Sequence, residues 1–202
     1  MGGGKSARAA CGGYICFEDE AGFTRRPPRS RIWGRRGRTP VVTVSGRSAG
    51  RLSVAGLIAV RPGSRTRLCH RLVTHPAGRG RCRSMGERDF IALVDGVRHL
   101  VKAPIVPAWD RLNTHVSHAM RELISQRTWL TVFLLPAYAP DLNPVERVRA
   151  HVKHSLTNLA VMALDRLEAL VRNRFKRLQY RPDTLDGFRA GTGLTLDTPT
   201  SP

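Results

Sequence analysis

Lysine, acidic residues and aromatics are all scarce in this chain. Only four of its 34 basic residues are lysine (Lys5, Lys102, Lys153 and Lys176), the acids number 15, and Phe, Trp and Tyr together make up 6% of 202 residues. The four cysteines (Cys11, Cys16, Cys69, Cys82) are too few and too irregularly spaced for a disulfide framework, and none makes a C-x-x-C pair. A zinc set drawn from Cys69, His70, His75 and Cys82 would need adjacent Cys–His ligands, a spacing zinc sites seldom use, so reduced thiols and surface histidines are the simpler reading. No apolar run approaches the ~18 residues of a spanning helix, and Met1 to Gly13 lacks the apolar centre of a signal peptide. A cytoplasmic, nucleoid-associated protein with no membrane partner is expected.

What is abundant is arginine. The formal net charge is +19, and with 41% hydrophobic residues the chain can still bury a core, which argues against wholesale disorder. Positions 21–86 contain no acid but 16 arginines. Seven of them (Arg25, Arg26, Arg29, Arg31, Arg35, Arg36 and Arg38) fall within fourteen positions, among Pro27, Pro28, Gly34, Gly37 and the single aromatic Trp33. A loop or ragged hairpin follows from the prolines and glycines. Planar guanidinium forks suit phosphate contacts, so this stretch reads either as a nucleic-acid-contacting arm or as a solvated basic loop.

Apolar periodicity gives the elements. Tyr14–Asp19 is a short strand ending in acids; Thr39–Ser45 and Arg51–Val60 are two more, joined antiparallel by a turn through Gly46–Gly50; Leu68–Val73 could add a further edge strand outside the five counted here. Met85–Leu100 has the spacing of an amphipathic helix. Pro104–Trp109 and Trp129–Leu135 are apolar strands with a helix over Val116–Arg127 between them, an order that calls for a parallel pair with a crossover. Asn143–Pro144 opens a helix by cap and first-turn rules, and a last helix covers about Leu164–Leu178. The expected fold is α/β, a mixed five-stranded sheet flanked by helices. The expected organisation is a flexible segment over 1–13, one catalytic domain over 14–190, and a disordered tail over 191–202.

So few acids allow each to be weighed. Asp19 ends the first strand, Asp110 the fourth, and Glu146 lies in the first turn of the helix after the fifth. If the first and fourth strands are neighbours, the three carboxylates can meet. Carboxylate oxygens suit Mg²⁺ or Mn²⁺, and two such ions serve phosphodiester chemistry. Each acid also has an ordinary structural reading: Asp19 in a solvated Glu18-Asp19-Glu20 turn, Asp110 as a turn or cap residue, Glu146 in a capping box with Asn143.

Four ordered motifs tip the balance: FEDEAGF (17–23), WGRRGRTPVV (33–42), PAWDRLNTH (107–115) and LPAYAPDLNPVE (135–146). Together they resemble the catalytic domain of bacterial insertion-sequence transposases of the DDE superfamily related to mariner elements, over about residues 14–195. The resemblance implies a ribonuclease-H-like fold, a metal-binding catalytic triad of Asp19, Asp110 and Glu146, and two Mg²⁺ or Mn²⁺ ions. It further implies hydrolytic cleavage of double-stranded DNA at element ends, then joining of the 3′-hydroxyl to target DNA. Thirty-five residues separate Asp110 from Glu146, close to the family's spacing. The Arg25–Arg38 stretch and Lys153, two helical turns past Glu146, are the expected DNA contacts. His115 belongs to the third motif without an assigned step.

The chain departs from the family at two points. Arg149 stands where relatives commonly carry Trp, three residues after the glutamate. The helix-turn-helix domain with which such transposases usually begin has no counterpart, so a separately encoded or frameshifted upstream half is the expected source of end recognition, and a second copy of the chain the expected partner in a homodimer. A catalytically inactive, transposon-derived DNA-binding remnant is the alternative. A basic structural or ribosome-associated protein would explain the charge and leave the four motifs without a reason.

Overall fold

The computed structural model describes residues 12–26, 35–38, 41, 50–77, 84–109, 117–136, 139–159 and 163–194. Five strands form one sheet: β1 (Tyr14–Phe23), β2 (Arg51–Val60), β3 (Arg67–His75), β4 (Ile105–Trp109) and β5 (Phe133–Leu134), in the order β3-β2-β1-β4-β5. β1 runs antiparallel to β2 and β2 to β3, while β1 with β4 and β4 with β5 are parallel. The helices are α1 (Glu87–Val101), α2 (His118–Gln126), α3 (Pro144–Ser155), α4 (Leu164–Gln179) and α5 (Pro182–Ala190), with a 3₁₀ turn over Pro140–Leu142. The expected mixed five-stranded sheet with flanking helices is the one observed.

Period-two alternation in β1 sorts its side chains between two cores. Phe17, Ala21 and Phe23 join Leu52, Val54, Ile58 and Val60 of β2 under Val145, Val148 and Val152 of α3 and Leu167, Val171 and Phe175 of α4. Tyr14 and Cys16 face the other way, with Ala55, Leu57 and Ala59 against Phe90, Leu93, Val94 and Val97 of α1 and Met120 and Leu123 of α2. β2 is buried on both faces and correspondingly reads RLSVAGLIAV, a nearly continuous apolar run. Helix starts are set locally: the Ser117 hydroxyl accepts from Met120 N at 3.2 Å, and the Asp89 carboxylate accepts from Gly86 N at 3.2 Å.

The structure revises several expected boundaries. β1 continues to Phe23, so Asp19 lies within the strand and the acidic trio is no solvated turn; unbroken pairing with β2 from Ile15 to Phe23 holds the segment extended. β5 is only two residues long, preceded by an isolated bridge from Leu130 to Ile105, so the apolar run Trp129–Leu135 makes less strand than its hydrophobicity suggested. α5 was not anticipated: its nine residues bury only Leu185, too weak a periodicity to detect. The strand expected over Thr39–Ser45 and its turn lie outside the described residues except Val41 and Gly50, and its expected antiparallel pairing with Arg51–Val60 is not formed, since both edges of β2 are taken by β1 and β3. So does 1–11 of the N-terminal segment. Of the tail, Gly191–Gly193 form a turn and Leu194 packs partly buried against the α3–α4 core. Among the described residues, no helix is long and apolar enough to cross a membrane.

Candidate active site

Asn143 ties the two halves of the site together. Its Oδ1 accepts from Val145 N at 3.1 Å and so caps α3, while its Nδ2 donates to the carbonyl oxygen of Glu18 at 2.7 Å. One buried amide therefore fixes the start of α3 to β1 at the residue before Asp19. A glycine completes the fit. Asp19 pairs with Gly56 across the sheet, and a Cβ at Gly56 would stand 3.1 Å from Val145 Cγ1 and 3.5 Å from the Phe175 ring. The bare glycine lets the first turn of α3 settle beside Asp19 without Val145 having to shift.

The first turn of α3 delivers Glu146 to that place. Its carboxylate does not close a capping box, since Asn143 N already donates to the Pro140 carbonyl at 2.9 Å. Instead Glu146 Oε2 pairs with Arg149 Nη2, and Arg149 Nη1 lies 3.4 Å from Asp19 Oδ2. One guanidinium thus bridges two carboxylates that are 127 positions apart in the chain. Asp19 is the more enclosed, with 14% of its side chain exposed against 26% for Glu146 and 34% for Arg149.

Lys153 follows Glu146 and Arg149 along the same helical face, with Nζ 5.9 Å from the centroid of the Phe23 ring. Partial burial holds its pKa below the usual lysine value; Arg149 and Arg51 push in the same direction, while Asp19 and Glu146 oppose them. Arg51, which sequence reasoning did not single out, is thereby placed in the same electrostatic neighbourhood. Its guanidinium fills the space a Cβ on Gly22 would need, and its Nε makes no hydrogen bond among the described residues despite being buried.

Of the expected arm, Arg35, Arg36 and Arg38 are exposed in a turn closed by Arg38 N donating to the Arg35 carbonyl at 3.0 Å, with Gly37 at φ +80°. Arg25 is half-buried and Arg26 exposed just beyond β1. Arg29, Arg31, Asp110 and His115 lie outside the described residues. The parallel register of β1 with β4 is described as far as Phe17 opposite Ala108, two positions before Asp19 and Asp110 respectively. The zinc set fares differently: Cys69 packs against the α1–α2 core while the His70 ring lies 5.0 Å from that of Phe175 in the other core, so these two side chains point to opposite faces of β3.

Two carboxylates converging on one cation, where the described β4 pairing ends, offer the hard oxygen donors that suit Mg²⁺ or Mn²⁺, with the guanidinium in a cation's place. Among the described residues no group of three or more potential metal ligands assembles. A family profile described as "DDE superfamily endonuclease" matches residues 14–168. The chain belongs to that family. Its structure is similar to the Mos1 transposase paired-end complex with left transposon end, with a TM-score of 0.60 at 14% identity over 96% of this chain. It is similar also to the Mos1 mariner paired end complex with Mn, with a TM-score of 0.56 at 14% identity over 91% of this chain and 56% of that one. The catalytic domain of Mos1 mariner transposase matches over 91% of this chain and 84% of that one, with a TM-score of 0.51 at 12% identity. The chain spans 59% of the protein in the first complex. No curated protein matches it. At these identities the likeness establishes the fold, which is ribonuclease-H-like.

Proposed function

We propose that this chain is the catalytic domain of an insertion-sequence transposase, a metal-dependent DNA endonuclease and strand transferase whose triad is Asp19, Asp110 and Glu146. The observation that carries the reading is the convergence of Asp19 and Glu146 on one cation, held by the Asn143 bridge between α3 and β1. Extending the β1–β4 register by two positions would set Asp110 beside Asp19. The family membership and the likeness to a mariner complex solved with Mn favour a divalent cofactor, and we take it to be two ions, Mg²⁺ or Mn²⁺.

In this reading Asp19, Asp110 and Glu146 hold the ions by their carboxylate oxygens. The chemistry available from ions held there would be activation of a water or 3′-hydroxyl and stabilisation of the leaving oxygen of the phosphodiester. The rest falls to the chain's own cations. Lys153 and Arg51 flank the carboxylates and offset the charge of an incoming backbone, while the exposed Arg26, Arg35, Arg36 and Arg38, with Arg25, Arg29 and Arg31, track the duplex. The DNA partners are the element ends and the target, met in the bacterial cytoplasm. A second copy of the chain and a helix-turn-helix half for end recognition complete the proposed assembly.

The test is nicking of supercoiled DNA carrying the element ends, with Mg²⁺ or Mn²⁺, comparing the unmodified chain with Asp19→Asn and Asp110→Asn. Metal-dependent nicking lost in both variants, with salt-sensitive DNA binding retained, supports the triad. Nicking that survives in either variant removes that residue from the triad, and DNA binding without nicking under any metal identifies the inactive remnant instead.

A further inference from the structure

Arg149 is the cation that the Asp19–Glu146 pair holds, and nothing in the proposed chemistry uses it. A guanidinium between the two carboxylates stands against one oxygen of each, Asp19 Oδ2 and Glu146 Oε2, where a divalent ion would bind. Its position is set by more than chance contact. Arg149 lies three residues after Glu146, so both side chains leave α3 on one face, and Asp19 reaches the fork from the sheet below. A planar fork can engage one carboxylate with each terminal nitrogen, an arrangement that a lysine ammonium cannot reproduce. With about a third of its side chain exposed, Arg149 also has an open path off the site.

From this geometry we infer that Arg149 is a built-in competitor for the metal site: its guanidinium closes the Asp19–Glu146 pair in the ion-free protein and leaves when divalent ions enter. The inference rests on the reading of that pair as metal ligands. In the ion-free chain the bridge offsets the repulsion between two neighbouring carboxylates and keeps the site assembled. Loading then costs the protein its own ion pairs, so the ion binds more weakly than the same carboxylates alone would allow. Once displaced, Arg149 remains beside the site as an unpaired guanidinium, a ligand for the phosphate of bound DNA. Metal and DNA binding are therefore coupled: each favours the state in which Arg149 has left the carboxylates, and by linkage the coupling is reciprocal.

The experiment measures Mn²⁺ binding to the full chain by the electron paramagnetic resonance signal of free Mn²⁺, for the unmodified protein and for Arg149→Ala, Arg149→Gln, Lys153→Ala and Asp19→Asn. Removing a competitor held by two ion pairs, the one to Asp19 a longer contact at 3.4 Å, should tighten Mn²⁺ binding by about tenfold in both Arg149 variants, the equivalent of 1.4 kcal/mol. Lys153→Ala removes a nearby positive charge without vacating the carboxylates, and should tighten binding by no more than about threefold. Asp19→Asn should abolish it. Equal or weaker Mn²⁺ binding in both Arg149 variants, or an effect no larger than that of Lys153→Ala, overturns the competitor while Asp19→Asn still upholds the metal pair. Binding unaffected by Asp19→Asn overturns both. Far-ultraviolet circular dichroism identifies any variant that has lost its fold, and agreement between Ala and Gln guards against a result peculiar to one replacement.

Discussion

Replacing Asn143 tests the connection on which the site's geometry depends. The amide performs two separable tasks: Oδ1 caps α3 at Val145 N, and Nδ2 donates to the Glu18 carbonyl 125 positions away. Loss of an N-cap costs about 1 kcal/mol. Loss of the Nδ2 donor to the buried Glu18 carbonyl adds about 1–3 kcal/mol, since the Asn143 side chain is itself buried and water does not simply take its place. Asn143→Ala should therefore lower the unfolding free energy by about 2–4 kcal/mol, read from urea titrations analysed with a common slope. Asn143→Ser keeps a capping oxygen but cannot reach β1, and should cost about 1–3 kcal/mol, always less than Ala. A loss under about 0.5 kcal/mol for Asn143→Ala would refute the reasoning, because both bonds would then be energetically idle. Because the bridge aligns Glu146 with Asp19, the same variants should also weaken Mn²⁺ binding, Ala more than Ser.

Two further predictions follow from packing and burial. Gly56→Val should cost about 2 kcal/mol by overpacking, since even a Cβ there meets Val145 Cγ1 at 3.1 Å, and Val145→Ala in the same chain should recover part of that loss in thermal melts. His70 carries a pH signature: burial, reinforced by the positive field of Arg172, brings its pKa down to about 4 from an ordinary 6.5. The unfolded chain therefore binds this proton first as pH falls. The stabilisation is fully present above pH 6.5 and disappears as pH drops through 4, a change of about 2 kcal/mol after allowing for partial exposure. His70→Phe, stacked on Phe175, should flatten that limb of the stability profile; an unchanged limb assigns the acid sensitivity elsewhere.

Much of the fold was legible because its elements announce themselves by period. β1 alternates between two cores, α3 places Val145, Val148 and Val152 on one stripe, and Asn143–Pro144 marks a helix start by chemistry that needs no tertiary context. Asp19 and Glu146 could be picked out because acids are rare here; Glu146 does lie in the first turn of α3, whereas Asp19, read as a strand end, lies inside β1. What stayed hidden depends on contacts across long separations. Asn143 reads as a cap in any sequence, but its bond to Glu18 exists only once β1 lies under α3. Gly56 reads as a weak point in a strand, whereas its bare Cα is what admits the helix. Arg51 sits in a row of arginines with nothing local to set it apart.

Arg149 shows how the two levels of reading combine. From sequence it is a departure, an arginine where relatives commonly carry tryptophan. In the folded chain its consequence is electrostatic, because the position faces two carboxylates and the core is filled by Val145, Val148 and Val152 instead. A tryptophan at this position carries no charge to offset either acid. An arginine there ties the acids together before any ion arrives, in a protein of net charge +19 that has few acids to spare. The cost of that arrangement is competition with the metal, and its gain is a site held in shape by the chain's own charges.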